Sequence, residues 1–353
     1  MLFKEKDNAI PYTLLKSIAK FIVEKKKISE MVITKNGDFK DVSHKHDNVK
    51  ETYVIVIGES TSRTHMSLYG YNRQTNPLLE AKKDKLLIYD NVEAPAINTI
   101  ASLKKSLTLG EYKDPTEHFN STIVQLFNSV NFNTYLISNQ RPIGTFDTTV
   151  TMITKTCDKK IYTNSSRTKS IKDEVLLSPL QDVLNKNVNK KFIIIHLMGT
   201  HVAYKNRFPP EYNVFHKQPI TKFNHESAYQ IINDYDNAIL YNDYIVNSII
   251  NKVKNTNTKS YVLYFSDHGD EVYDTANFVG HSVKKGTPAM NNIPLILWRS
   301  KEFQESKKID FKKHRKYNTE NLIHTVADLS NINFRRFDKG KSIINSEFKD
   351  TLK

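Results

Sequence analysis

The apolar run from Tyr53 to Ile57, followed at once by Gly58 and Glu59, constrains the fold of this chain more than any other stretch. A short run with no polar interruption is typical of a strand that is buried on both faces of a parallel sheet. Such a strand delivers the next residues to its carboxyl end, where open α/β sheets bind ligands. A carboxylate at this point is also commonly a helix cap or a turn former. The pattern alone therefore predicts a strand, a turn and a helix, and leaves the role of Glu59 open.

Two later stretches repeat this pattern of a buried strand followed by glycine and ionisable residues. Lys191 to His201 and Tyr261 to Asp270 each begin with an apolar run and end in a charged turn. Strands that alternate with helices in this way imply a parallel sheet covered by helices on both faces. We therefore expect an α/β protein, a three-layer α/β/α sandwich with a mostly parallel central sheet. The remaining strands are predicted at 86–89, 133–137 and 293–298, and the helices at 100–109, 121–130, 173–185, 227–252 and 319–329.

Ionisable side chains follow all three of the repeated strands. The carboxyl ends of parallel strands meet at one edge of a sheet, so these side chains should converge. Two carboxylates and two imidazoles form a nitrogen and oxygen site that suits zinc or manganese. For any one of these residues alone, a structural role is the simpler interpretation. Their recurrence at equivalent strand ends favours a metal site instead. The residues are Glu59, His201, Asp267 and His268.

A threonine precedes the helix that is predicted from Ile100 to Leu109. Pro95 blocks a helix before it, so Asn98 or Thr99 stands at the helix N-terminus. Free backbone N–H groups and the helix dipole favour an anion such as phosphate at that place. A simple helix cap is the alternative for this hydroxyl.

The chain of 353 residues carries a formal net charge of +14, which bears on its partners rather than on its fold. Anionic lipid, lipopolysaccharide and nucleic acid all fit this charge, and a general richness in Lys and Asn is the simpler explanation. No helix-turn-helix, zinc finger or aromatic RNA-binding signature is present, which argues against nucleic acid. Residues 11–27 have the pattern of a basic amphipathic helix that either lies on a membrane surface or packs on the domain.

The sequence contains neither a signal peptide nor a run of roughly 20 apolar residues that would cross a bilayer. Cys157 is the only cysteine, so the chain forms no internal disulfide and no thiolate metal cluster. This single cysteine leaves the redox compartment undecided. The run from His44 to Asp47 is interpreted as a solvated linker, and 205–222 as an insertion or lid.

Several separated motifs carry a family resemblance. They are Gly58–Arg63, Asn98–Ser102, His196–His201, Ser266–Asp270 and His281. In this order and spacing they resemble the phosphoethanolamine transferases of the alkaline phosphatase and sulfatase superfamily, over roughly residues 50 to 345. The resemblance is closest to the branch that modifies the lipopolysaccharide core. That comparison rests on Met66–Tyr71, Ser138–Gln140, Asn233–Asn237, Leu240–Asp243 and Glu271–Asp274.

The resemblance implies an alkaline phosphatase-like fold and a periplasmic catalytic domain of an inner-membrane enzyme. By this resemblance residues 1–50 are a membrane-proximal helix and linker, 51–345 the catalytic domain and 346–353 a tail. The donor would be phosphatidylethanolamine, the acceptor an inner-core sugar or the lipid A of lipopolysaccharide, and the protein a monomer.

The resemblance also implies roles for individual residues. One zinc ion would be bound by Glu59, Thr99, Asp267 and His268, with Thr99 as the nucleophile. His201 and His281 would hold the phosphoryl group or a second metal, and Asn139 or Gln140 would contact the substrate.

Two features of the chain depart from the family, and other interpretations compete with this one. Many relatives have disulfides in this domain and this chain has none, and Asp270 stands where Glu is common.

A sulfatase activity is disfavoured because Cys157 lacks the segment that forms a formylglycine. A phosphodiesterase or a glycerol-phosphate transferase would use the same threonine and metal. A non-catalytic basic domain that binds lipopolysaccharide or nucleic acid is the alternative outside enzymology.

Overall fold

The strand predicted from Tyr53 to Ile57 lies at the centre of the sheet. The computed structural model describes residues 32–45, 49–109, 117–141, 149–164 and 171–350. Within these residues, seven strands form the central sheet in the spatial order β2-β7-β6-β1-β5-β3-β4. Their bounds are β1 Glu51–Gly58, β2 Leu86–Tyr89, β3 Asn133–Ser138, β4 Lys159–Tyr162, β5 Lys190–His196, β6 Lys259–Ser266 and β7 Leu295–Arg299.

The sheet is mostly parallel, as predicted. Strand β1 pairs in parallel with β6 on one side and with β5 on the other, and β3 continues the parallel pairing to β4. Only β7 among these strands runs against its two neighbours, β6 and β2. Ile57 pairs with Phe265 and with His196, so the carboxyl ends of β1, β5 and β6 lie side by side.

Helices cover both faces of the sheet. Their bounds are α1 Pro77–Glu80, α2 Thr99–Ser106, α3 Ile123–Asn128, α4 Thr149–Ile153, α5 Leu177–Leu184, α6 Glu226–Lys254, α7 Pro288–Asn291, α8 Lys301–Ser306 and α9 Leu322–Leu329. Short 3₁₀ helices extend several of these elements, at Asp173–Leu176 before α5 and at Thr319–Asn321 before α9.

Alternate residues of β1 belong to two separate cores, because successive side chains of a strand point to opposite faces. Tyr53, Ile55 and Ile57 pack with side chains of α2, α3, α8 and α9. Val54 and Val56 pack with α5 and α6. This arrangement confirms the predicted three layers and explains why the run has no polar interruption.

The residues before β1 pack on the same domain. Ser43–His44 pairs with Ile332–Asn333, and Phe39 and Val42 contact the core of α2, α3 and α9. The prediction of a solvated linker is wrong for His44, because its side chain is 4% exposed and its Nε2 lies 3.5 Å from a carboxylate oxygen of Glu51. The amphipathic helix predicted at 11–27 lies outside the described residues. No helix of the described residues is long and apolar enough to cross a membrane.

The segment predicted as an insertion or lid is tied to the domain. Two backbone N–H groups, at Val214 and Phe215, donate to Oδ1 of Asn237 on α6. The guanidinium of Arg73 donates to the carbonyl of Lys217 at 2.7 Å. The stretch 271–292 contains a pair of two-residue strands, Glu271–Val272 and Val279–Gly280, and helix α7.

Substitution of Phe127 by Ala should strongly destabilise the domain. The rings of Phe127 and Phe192 are stacked with centroids 3.7 Å apart, and both side chains are fully buried between α3 and the sheet. Loss of the ring should lower the free energy of unfolding by about 3–5 kcal/mol, measured by guanidinium titration. Phe311→Ala is the control, since Phe311 is 38% exposed. If Phe127→Ala lowers the free energy of unfolding no more than Phe311→Ala does, this account of the core is contradicted.

Candidate functional site

Three elements bring a threonine hydroxyl and candidate metal-binding side chains together at the carboxyl edge of the sheet. Glu59 follows β1, Asp267 and His268 follow β6, and Thr99 is the first residue of α2. The pairing of Gly58 with Ser266 sets Glu59 beside Asp267. The predicted convergence is therefore seen in the structure for Glu59, Asp267 and His268.

The distances among the four side chains suit a tetrahedral metal. Thr99 Oγ1 lies 3.3 and 3.2 Å from the two carboxylate oxygens of Glu59 and 3.5 Å from Nε2 of His268. That Nε2 lies 3.4 Å from Oε1 of Glu59 and 3.5 Å from Oδ2 of Asp267. Ligands about 2.0–2.1 Å from a tetrahedral zinc ion are about 3.3–3.4 Å from one another. The spacing of the donor atoms thus fits zinc.

The hydrogen bonds around the cluster leave its ligand atoms available. Nδ1 of His268 donates to the carbonyl of Gly269 at 3.0 Å, which leaves Nε2 as the ring atom available to a metal in the site. Oδ2 of Asp267 is buried and accepts no hydrogen bond from the described residues. A buried carboxylate oxygen without a donor calls for a cation. The residues present therefore fit a divalent metal.

The pKa values of the three ionisable ligands show how strongly they interact. Burial acts to raise the pKa of Glu59, but the hydrogen bond and charge of His268 outweigh it and lower the pKa, with smaller contributions from His201 and His196. Burial, and then the charge of Glu59, raise the pKa of Asp267. Burial acts to lower the pKa of His268, and the two carboxylates outweigh it and raise the pKa. The cluster is thus a dense set of buried charges.

A strained turn fixes the orientation of Glu59. Ser60 has a left-handed backbone, with φ of 58°, which is uncommon outside glycine. Its N–H donates to Oδ1 of Asp267 at 3.1 Å, and its carbonyl accepts from the hydroxyl of Tyr235 at 2.7 Å. The N–H of Ser62 donates to the same hydroxyl at 2.8 Å. Tyr235 of α6 therefore holds this turn on both sides of Thr61.

The loop after β5 packs directly on the backbone of Glu59. Gly199 has φ of 52°, and a Cβ at this position would lie 2.8 Å from the nitrogen and 2.9 Å from the oxygen of Glu59. Only glycine fits this approach. The N–H of Thr200 and its hydroxyl both donate to the carbonyl of Glu59. These contacts place the next residue, His201, beside the metal-binding cluster.

Sequence reasoning missed Asp173, which holds this loop. Its buried carboxylate accepts from the N–H groups of Met198 and Gly199, each at 2.8 Å. It also accepts from Nδ2 of Asn139 at 2.9 Å, and burial raises its pKa. Asp173 lies at the start of a predicted helix, and no sequence pattern distinguishes it from a helix cap.

Thr99 stands at the N-terminus of α2, as the sequence predicts. The side chain of Asn98 caps this helix by accepting from the N–H of Ala101 at 2.9 Å. The hydroxyl of Ser102, one turn further along, donates to the carbonyl of Asp267. The helix is thereby tied to the strand end that carries the ligands, and Thr99 is held in the cluster.

His281 enters the site from the loop after β6. Its ring lies against that of His268, with centroids 4.3 Å apart, and its Nδ1 contacts Oδ1 of Asp270 at 2.8 Å. The other oxygen of Asp270 accepts from the hydroxyl of Tyr204 at 2.7 Å. Tyr204 is a second residue that sequence reasoning missed. Asp270, His268 and His281 offer a second set of ligand atoms within 4.8 Å of one another.

The two candidates on the loop after β3 have different surroundings. Asn139 is fully buried, and its amide donates to Ile171 and Asp173 and accepts from Thr163. The prediction that it contacts substrate is therefore corrected, since it supports the loop instead. Gln140 lies in the site, with Nε2 3.3 Å from Oε2 of Glu59.

Two histidines come from β5 and the loop after it: His196 is the last residue of the strand, and His201 follows it. Nδ1 of His201 is buried without a hydrogen-bond partner among the described residues, and so are both ring nitrogens of His196. Burial lowers the pKa of His196 to about 4, so this ring is neutral near pH 7. His196 belongs to a motif that the sequence analysis quoted, but its place in the strand gave no reason to assign it to the site.

Comparisons with known proteins show the family to which the chain belongs. The family model described as Sulfatase matches residues 51–332. Phosphoethanolamine transferase EptC of Escherichia coli strain K12 is 38% identical over 332 residues, which cover 90% of this chain and 56% of that protein. The chain therefore belongs to the sulfatase family and, within it, groups with the phosphoethanolamine transferases. It spans about half the length of the curated relatives that it matches.

Solved structures give the same result. The crystal structure of the C-terminal periplasmic domain of EptC from Escherichia coli, in complex with Zn, superposes with a TM-score of 0.85 at 36% identity. The superposition covers 89% of this chain and 91% of the EptC domain. A member of the alkaline phosphatase superfamily from Vibrio parahaemolyticus shares the fold, with a TM-score of 0.59 at 15% identity, over 92% of this chain and 75% of that one. The predicted alkaline phosphatase-like fold is confirmed.

Replacement of Tyr204 by Phe should disturb His281 while the fold persists. The change removes the hydroxyl that holds Asp270 and keeps the ring, which packs edge-on against Tyr235 with centroids 4.7 Å apart. One buried carboxylate oxygen then loses its donor, so the free energy of unfolding should fall by about 1–3 kcal/mol. The ring ¹⁵N shifts of His281 should also change, as measured by NMR.

The matched control is Tyr229→Phe, whose hydroxyl bonds to Asn224 at the surface. This variant should change the free energy of unfolding by less than about 0.5 kcal/mol, and it should leave the His281 shifts unchanged. Unaltered His281 shifts in Tyr204→Phe would show that Asp270 orients this ring without help from the tyrosine.

Proposed function

We propose that this chain is the catalytic domain of a zinc-dependent phosphoethanolamine transferase. It transfers the headgroup of phosphatidylethanolamine, through Thr99, to the inner-core sugar or lipid A of lipopolysaccharide. The observation that carries the proposal is the position of the Thr99 hydroxyl. This group lies at a helix N-terminus and within 3.5 Å of Glu59 and His268, two of the metal-binding residues.

The donor set of Glu59, Thr99, Asp267 and His268 would hold one zinc ion. When bound, zinc makes a hydroxyl more acidic and stabilises negative charge on a transferring phosphoryl group. The spacing of the ligands and the unpaired oxygen of Asp267 support this assignment. So does the Zn complex of the EptC domain.

The reaction proceeds in two displacements at phosphorus. Thr99 Oγ attacks the phosphorus of the donor lipid, the bond to the glycerol oxygen breaks, and diacylglycerol leaves with a proton. Phosphoethanolamine then remains on Thr99 as a phosphodiester. A hydroxyl of the acceptor attacks the same phosphorus, loses its proton and releases Thr99.

The chain offers residues for orientation and proton transfer around this threonine. Backbone N–H groups at the start of α2 would donate to the oxygens of a phosphoryl group on Thr99. His281 and His201 lie beside the ligands and would exchange protons with the leaving and entering hydroxyls. Gln140 would contact the donor headgroup.

We place the domain in the periplasm and the helix predicted at 11–27 at the membrane surface, because Phe39, Val42 and Phe348 pack on the catalytic unit and extend it beyond 51–345. The relative EptC is about twice as long as the matched segment, and its solved domain is described as periplasmic. We propose a monomer, with phosphatidylethanolamine and lipopolysaccharide as its partners and no nucleic acid. Asp270, His268 and His281 are candidates to bind a second metal ion.

Intact-mass spectrometry should detect the covalent intermediate. Incubation with phosphatidylethanolamine in detergent should add one phosphoethanolamine, and fragmentation should locate it on Thr99. Thr99→Ala should remove the adduct, whereas Thr99→Ser keeps a hydroxyl and should retain it at a reduced rate. Phosphatidylglycerol is the control donor. An adduct with phosphatidylglycerol alone would indicate a glycerol-phosphate transferase, and an adduct on another residue would remove Thr99 from the mechanism.

Metal analysis of the purified chain should find about one tightly bound zinc ion. Asp267→Ala should lose it, and added zinc should then no longer raise the melting temperature, because a ligand-dependent gain in stability needs the site. The surface variant Asp84→Ala should behave like the parent chain. Equal zinc content in Asp267→Ala and Asp84→Ala would place the metal elsewhere.

A further inference from the structure

Exposed aliphatic side chains stand next to three of the candidate site residues. Ile100 follows Thr99 and is 58% exposed, Val202 follows His201 and is 52% exposed, and Val283 lies two residues after His281 and is 83% exposed. We call these three residues the apolar rim. Single exposed aliphatic residues are common on protein surfaces, so their shared position is what needs an explanation.

The three residues lie on segments that carry candidate site residues. Thr99 lies within 3.5 Å of His268, whose ring packs on His281, and the residue before His201 is bonded to the carbonyl of Glu59. Ile100, Val202 and Val283 are each one or two residues from these contacts. They are therefore exposed side chains next to the site, on two loops and one helix end.

The charges around the rim have one sign. The stretches 98–101, 201–206 and 281–286 contain no Asp or Glu, and their charged residues are lysines. Lys205, Lys284 and Lys285 are all exposed, and the ammonium of Lys285 lies 4.4 Å from the ring centroid of Phe278. Aliphatic groups bordered by lysines match the surface of an anionic bilayer, where acyl chains lie just below negatively charged headgroups.

We propose that the apolar rim and its lysines dock the site mouth on an anionic phospholipid bilayer, so that donor lipid is taken from the membrane surface. The inference rests on the proposed function for its consequence in catalysis, but the docking itself is a separate property of this surface. Such docking explains how a site at a sheet edge meets a headgroup whose acyl chains remain in the bilayer. It assigns to these residues a role in lipid access and none in the chemical step.

The test uses the full chain and the variant Ile100→Ser/Val202→Ser/Val283→Ser. Binding is measured by sedimentation with vesicles of phosphatidylethanolamine and phosphatidylglycerol, and the rim variant should bind about tenfold more weakly. Val49→Ser is the control, because Val49 is 44% exposed and lies before β1, at the opposite end of this strand from Glu59. The double variant Lys284→Gln/Lys285→Gln should also bind these vesicles more weakly. The difference between this variant and the parent chain should largely disappear at high salt, which screens the attraction of the lysines to the lipid.

Transfer is then measured from two donors. With phosphatidylethanolamine in the same vesicles, the rim variant should be about tenfold slower than the parent chain. With monomeric dihexanoyl phosphatidylethanolamine in solution, the two should agree within about twofold, since a soluble donor needs no docking. Equal melting temperatures would show that both proteins are folded.

The outcomes separate the two proposals. Unchanged vesicle binding in the rim variant overturns the docking surface, and so does an equal loss of transfer from both donors, which would make the rim part of the site itself. If the parent chain transfers from neither donor, the proposed function fails. Rim-dependent vesicle binding would then still support the docking surface. Binding that needs lipopolysaccharide in the vesicles and ignores phospholipid charge would assign the rim to the acceptor and overturn the proposal.

Discussion

Two buried carboxylates from adjacent parallel strands, Glu59 and Asp267, are the interaction on which this site depends. The pairing of β1 with β6 sets them side by side, and the burial of both makes their mutual repulsion strong. His268 offsets part of that charge through its Nε2. The remaining unsatisfied oxygen of Asp267 makes a divalent cation the natural complement of the cluster.

The backbone around the carboxylates is shaped to keep them in place. Ser60 adopts a left-handed conformation that costs free energy, and Tyr235 and Asp267 hold it there by hydrogen bonds. Gly199 permits a contact with the Glu59 backbone that no other residue could make. Asp173 fixes the Gly199 loop from the far side. With no disulfide available, buried polar contacts of this kind hold the loops of the site.

The site is supported by α6 as well as by the sheet. Tyr235 on this helix holds the Glu59 turn, and its ring packs on Tyr204, which bonds to Asp270 beside His281. One helix thus links the turn that carries Glu59 to His281. Outward from this core, the surface changes to exposed aliphatic and lysine side chains, which suits a substrate that is half headgroup and half acyl chain.

The sequence by itself determined the fold class and the convergence of Glu59, Asp267 and His268 at one edge of the sheet. Its signals were local, since an apolar run that ends in glycine and a carboxylate identifies both a buried strand and the edge that the strand reaches. The family resemblance then supplied roles for Thr99, His201 and His281. Only the tertiary structure decided which polar residues serve the site and which support it. Asn139 was expected to contact substrate, yet it is fully buried and bonded to Asp173, a partner 34 positions away. Asp173, Tyr204 and Tyr235 act through single side-chain contacts between distant segments, and such contacts follow from packing and leave no periodic pattern in the chain.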